Sequence, residues 1–146
     1  MQKSELQAAA QQLPSKAACN RAMAVITFAS GLSGSAGESL SRVRMATLGF
    51  MAPELQHRFV LRDGSNAFVD FWFDGSRTVG EFDGRTKYLR PDWGLGRPIQ
   101  DRILKEKDRE DQIRAQGIGV VRWTWPEMLD LQGFQRLLLQ AGIPRK

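Results

Sequence analysis

Ala67-Phe68-Val69-Asp70-Phe71-Trp72-Phe73 and, after Asp74-Gly75-Ser76-Arg77, Thr78-Val79-Gly80-Glu81-Phe82-Asp83-Gly84-Arg85-Thr86-Lys87-Tyr88 are the stretches whose reading decides the fold. Each sets a carboxylate inside an apolar, β-prone run. A carboxylate taken out of water is costly unless it is paired or holds a cation. Two adjacent strands that bring Asp70, Glu81 and Asp83 together would form an oxygen-rich site for Mg²⁺ or Mn²⁺. Such a site in a basic protein makes the chain a candidate for phosphodiester cleavage.

Short turns frame these runs. Asp63-Gly64-Ser65-Asn66 precedes the first and Asp74-Gly75-Ser76-Arg77 separates the two, each with the Asp-Gly pair that hairpins favour. With residues 56–61 as an earlier strand, the expectation is a β-meander of 56–61, 67–73 and 78–82. Alternation puts Phe68, Asp70 and Trp72 on one face of the middle strand and Val69, Phe71 and Phe73 on the other. Both faces are apolar, so both should be covered. Upstream, residues 1–12 read as a frayed helix or leader. A helix from Pro14-Ser15 to about Ser30 follows, then a Gly/Ser linker from Gly31 to Gly37, then a helix over 37–48 that stops at Gly49. Downstream, residues 89–98 read as a loop, 99–116 as a helix ending at Gly117, and 118–124 as a buried strand. Pro126 opens a last helix through about Gln140, with Leu129, Leu137 and Leu138 as core candidates. The order α-βββ-α-β-α predicts a mixed α/β (α+β) domain, with a central sheet of about four strands flanked by helices. The domain boundaries expected are 1–36 for a helical extension and 37–146 for the main domain.

The chain is long enough, at 146 residues, for one domain with a real core. No apolar run can cross a bilayer, so no membrane partner is expected. A single cysteine, Cys19, excludes an internal disulfide and fits a cytoplasmic, reducing setting. The formal charge of +5 favours a polyanionic partner, with DNA the first candidate. No Gly-rich phosphate loop is present, so no nucleotide cofactor is expected. Cys19 lacks the partners of a thiol enzyme or a zinc site.

The other residues that carry chemistry leave alternatives open. Asp70 and Glu81 hold a metal, or each pairs with an arginine and only supports the fold. Asp83 joins them, or belongs to a plain Asp-Gly turn. Glu38 and Arg42 share a helix face and can pair. Ile99, Ile103 and Ile113 form one stripe of the helix over 99–116, and Glu106 and Glu110 fall on that stripe. These acids approach the metal site or pair with Arg42 or Lys87. Lys105, Lys107 and Arg109 lie off its centre, and a solvated charged face is the competing reading for these three. Lys87 stabilises charge on a scissile phosphate, or pairs with a strand carboxylate. His57, the only histidine, reads as a surface strand residue rather than a catalyst.

The ordered set Glu38, Asp70, Glu81-Phe82-Asp83-Gly84 with Lys87, Glu106-Lys107-Asp108-Arg109, and Gly117-Ile118-Gly119-Val120-Val121-Arg122 resembles the restriction-endonuclease-like PD-(D/E)xK superfamily. Within it, the likeness is to relatives of the very-short-patch repair endonuclease. It extends to the C-terminal domain of actinobacterial abortive-infection, type IV antitoxin-like proteins. The resemblance spans roughly Glu38 to Trp125. It implies a mixed sheet flanked by helices and a divalent metal on the second and third strands. Asp70 matches the strand aspartate, Glu81 the acid of the (D/E)xK element, Glu38 the acid of the first helix, Glu106 a later helical acid and Arg109 its accompanying arginine. Two departures stand out: Asp83 fills the lysine position, and Lys87 sits where short-patch relatives show a histidine. A winged helix-turn-helix, usual in the antitoxin-like relatives, is not legible.

The expectation is therefore a Mg²⁺-dependent DNA endonuclease. Its metal ligands are Asp70, Glu81 and Asp83. Its wider catalytic set adds Lys87, Glu38 and Glu106. Arg85, Arg90, Arg97, Lys107 and Arg109 hold the DNA backbone. Double-strand cutting favours a homodimer. The alternative is a catalytically silent module of the same fold, serving as an antitoxin-like regulator or as a DNA- or protein-binding domain.

Overall fold

The computed structural model describes residues 2–84 and 97–146, the side chain of Arg97 excepted. The chain divides into two compact units, Met1–Gly31 and Leu32–Lys146.

The first unit is a pair of helices, α1 (Lys3–Gln11) and α2 (Lys16–Phe28). Ser15 caps α2, its Oγ accepting the Ala18 N–H at 3.1 Å. The Lys3 ammonium donates to the carbonyls of Thr27 and Ala29 at 2.8 and 3.1 Å. A cation at the C-terminal end of α2 is favoured by the helix dipole.

The second unit runs α3 (Ala36–Thr47), β1 (Glu54–Val60), β2 (Asn66–Phe73), β3 (Thr78–Phe82), α4 (Arg97–Arg114), β4 (Gly119–Trp123), α5 (Trp125–Leu129) and α6 (Leu131–Gln140). The four strands form one sheet in the order β1-β2-β3-β4. The first two pairings are antiparallel and β3–β4 is parallel, with α4 inside the crossover. The mixed α/β architecture and its four-stranded sheet are as expected from the sequence. Between β1 and β2, Gly64 takes φ +80°, and Asp63 Oδ1 accepts from the Ser65 amide at 2.9 Å and its hydroxyl at 2.6 Å. That is the Asx chemistry expected of such a turn.

Each face of the sheet is packed. One side buries Phe71, Phe73 and Trp123 with Met45 of α3, Met128 of α5 and Phe134 and Leu138 of α6. The other buries Phe59, Ala67, Val69, Trp72 and Val79 with Ile113 of α4 and Ile118. In the first core the Trp123 indole N–H donates to Ser41 Oγ at 2.9 Å, and that hydroxyl donates to the Gly37 carbonyl at 2.7 Å.

Several expectations are corrected. The alternation along β2 breaks at Asp70. The β1–β2 ladder pairs Leu55 with Phe71 and His57 with Val69 but skips Gln56 opposite Asp70. Gln56 has φ +53°, and it is at this pair that the inward side chains of both strands pass from one core to the other. Val69 therefore packs with Trp72 in one core, and Phe68 is 54% exposed. His57 is half-buried rather than fully exposed: its ring stacks on Trp72 at 5.4 Å, and Nδ1 lies 2.9 Å from Glu54 Oε1. The last helix is two helices, because Asp130 leaves helical geometry between α5 and α6 (φ −79°, ψ 96°). Leu129, at that break, is 53% exposed, and Met128 takes its place in the core. The stripe on α4 is buried only in its last turns: Ile113 is buried, Ile99 is half-buried, and Ile103 is 56% exposed within the exposed stretch 100–108.

Candidate functional site

The site forms where β2 and β3 stop pairing. Their ladder ends at Phe71–Gly80, which leaves Asp70 and Glu81 as the next opposed positions. Side chains opposed across antiparallel strands share a face, and these two carboxyl groups are close enough to hydrogen bond to each other. The Asp70 carboxylate also replaces a backbone partner: its Oδ2 accepts the Phe82 N–H at 2.9 Å.

A third acid reaches the pair from α3. Ser35 caps that helix by accepting the Glu38 N–H at 3.1 Å, and Glu38 Oε2 accepts the Gly34 N–H at 2.7 Å. The close approach of α3 depends on Gly37, since a Cβ there would lie 1.9 Å from the Phe82 ring. Glu38 is near enough that its charge acts on Asp70.

This crowding raises the affinity of both carboxyl groups for protons. Burial pushes the Asp70 carboxyl up, the Phe82 amide opposes it, and Glu38 adds to the rise. Burial also pushes Glu81, from an ordinary 4.5 to about 7, reinforced by Asp70 and opposed by Arg109 and Arg122.

Arg109 of α4 is the cation on this pair. Its Nη2 lies 3.2 Å from Glu81 Oε1 and its Nη1 3.0 Å from Glu106 Oε1. Nη2 also donates to the Phe68 carbonyl. Glu106 in turn receives Arg122 Nη2 at 2.8 Å. Glu110 receives Arg122 Nε at 2.9 Å and Arg114 Nη2 at 2.8 Å. Burial would raise the Glu110 carboxyl, but hydrogen bonds from Arg114 and Arg122 outweigh it and hold it below the ordinary range. The helical acids are thus satisfied by arginines of α4 and β4. Arg109 is a half-buried bridge rather than part of a solvated face.

Asp83 follows the last residue of β3. Its amide donates to the Trp123 carbonyl at 2.8 Å, so the chain is still bonded to β4 there. With Phe82, Arg102, Ile103, Glu106 and Arg122 it lines a cleft of about 340 Å³ beside the carboxylate pair. Lys107 is exposed on α4. Arg85, Lys87 and Arg90 lie outside the described residues, as does the Arg97 side chain. Sequence reasoning gave no role to Arg122 or Arg102. Arg122 had a legible signal, a cation inside the apolar run Gly119–Trp123, the counterpart of Asp70 and Glu81 in theirs.

Among the described residues, no group of three or more His, Cys, Asp or Glu side chains is arranged to hold a metal ion. Two carboxylates are, however, a sufficient protein contribution for Mg²⁺, which keeps several waters and commonly takes only one or two. The chemistry of the pair fits a dication: two half-buried carboxyl groups are forced together, and Asp70 makes no ion pair of its own among the described residues. No helix among the described residues is long and apolar enough to cross a membrane. No protein-family model, curated protein or solved structure matches the chain.

Proposed function

We propose that this chain is a metal-dependent nuclease with a restriction-endonuclease-like core, hydrolysing phosphodiester bonds in DNA at Asp70 and Glu81. The observation that carries the reading is the convergence of these two carboxylates at the end of the β2–β3 ladder, with Glu38 behind them. The alternative arrangement, acids on opposite sides of the sheet, would have left no site. The excess of Lys and Arg over Asp and Glu, 21 against 16, supplies attraction for a polyanion.

When bound, Mg²⁺ would lower the pKa of a coordinated water and neutralise the attacked phosphate. The chain's own residues do the remainder. Asp70 is held in place by the Phe82 amide. Glu81 is fixed on the neighbouring strand. Glu38 adds negative potential that favours a doubly charged ion over a single guanidinium. Arg109, already in contact with Glu81, is positioned to neutralise charge developing on the phosphate. Lys107 and Arg102 lie on the exposed part of α4, where backbone phosphates can reach them. Cutting both strands would call for a homodimer.

Plasmid nicking in Mg²⁺ tests this. Wild-type protein should convert supercoiled DNA to open circles, and Asp70→Ala should lose that activity by at least about 100-fold. Equal cleavage by the variant removes Asp70 from the chemistry. A second reading rests on the Arg109–Glu81 ion pair and on Asp83 at the lysine position: a silent module of the same fold, in which Arg109 substitutes permanently for the metal. Mn²⁺ binding separates the two readings.

A further inference from the structure

We propose that Arg109 is the internal counter-cation of the carboxylate pair, so that a divalent ion enters only by displacing its guanidinium from Glu81. The proposal rests on the reading of Asp70 and Glu81 as a metal site and assigns Arg109 a role in setting that site's affinity.

The geometry defines the competition. Arg109 Nη2 occupies Glu81 Oε1 at 3.2 Å, and the side chain is only 20% exposed, so solvent screens the contact weakly. Asp70 instead takes the Phe82 amide. The pair therefore carries one guanidinium on one of its two members. A dication shared by Asp70 and Glu81 would lie within a few ångströms of that guanidinium, and like charges so close repel, with little solvent to screen them. Arginine cannot relieve this by losing its proton, so it has to move.

It has somewhere to go. Arg109 Nη1 is already bonded to Glu106 Oε1 at 3.0 Å, and Nη2 also donates to the Phe68 carbonyl. The Glu106 contact, made by the other nitrogen, survives departure from Glu81, while the two contacts of Nη2 are given up together. A guanidinium so released keeps its planar fork for a phosphate, beside the cleft that holds Arg102 and Arg122. Glu106 is the anchor of this movement, which gives that helical acid a purpose without touching the metal.

Calorimetric titration of the full chain with MnCl₂ tests the proposal in wild type, Arg109→Ala, Arg109→Lys and Glu81→Ala, with circular dichroism as the folding control. Arg109→Ala should bind Mn²⁺ about tenfold more tightly than wild type, since a competing charge is gone. Arg109→Lys keeps the charge without the fork and should gain about threefold, which carries the test if the alanine variant does not fold. Glu81→Ala should not bind. Binding by Arg109→Ala but not by wild type would be the strongest support. Wild-type binding with equal or weaker binding by the folded arginine variants overturns the counter-cation role and leaves the metal site standing. No Mn²⁺ binding by any form overturns both.

Discussion

Glu81→Gln should remove a pH dependence of stability that the wild-type chain carries. The Glu81 carboxyl titrates near 7 in the folded chain, against an ordinary 4.5 once unfolded. Between those values the folded state binds the extra proton, so stability is greatest below about pH 4.5 and declines as pH rises toward 7, then levels off. Each pH unit corresponds to about 1.4 kcal/mol, so the interval from 4.5 to about 7 gives a loss of up to about 3 kcal/mol. The side chain is 12% exposed, so little discount for solvent applies. Glutamine has the shape of the protonated acid and no charge to desolvate. The assay is urea unfolding of both proteins at pH values from about 5 to about 8, comparing the free energy difference between them at each pH. That difference should swing by about 2–3 kcal/mol in favour of the variant as pH rises. Parallel profiles would refute the claim that burial and Asp70 crowd this carboxylate. Saturating Mn²⁺ at the upper pH should restore stability to wild type alone, because a ligand of the folded state stabilises it by mass action.

Gly37→Ala should destabilise the domain by about 1–3 kcal/mol, because the added methyl would meet the Phe82 ring and force α3 off the sheet. A thermal melt indistinguishable from wild type would show that α3 has slack there. Ser41→Ala should cost about 1–3 kcal/mol by leaving the buried Trp123 indole N–H without its acceptor. Urea midpoints measure it, and a change within error would mean that another acceptor, or water, takes over.

The strands were legible because their signals are local. Apolar runs bounded by Asp-Gly turns predicted β1, β2 and β3; β3 keeps its bounds, and the ends of the other two move by at most two residues. The single helix expected over 126–140 failed for a reason that is not local: nothing in Leu129-Asp130-Leu131 forbids helix, while Met128 and Phe134 on either side of the break pack into one core. Gln56 is a sharper case. A left-handed glutamine in mid-strand has no sequence signature, yet it lies where the side chains of β1 and β2 change from one core to the other.

At the site, residue type alone marked Asp70 and Glu81, since a carboxylate in an apolar strand must find a partner wherever the strand goes. Which partner it finds is a matter of register and crossover. The register of β2 against β3 sets the two acids opposite each other. The right of way of α4 over the sheet then delivers Arg109 to Glu81 and Glu106 to Arg122. Those contacts join residues 28 and 16 positions apart in the chain, beyond the reach of any periodicity. The sequence determined by itself that acids are buried in a sheet; only the tertiary structure decided that they share one face and one guanidinium, because charge pairing depends on distances that chain order does not encode.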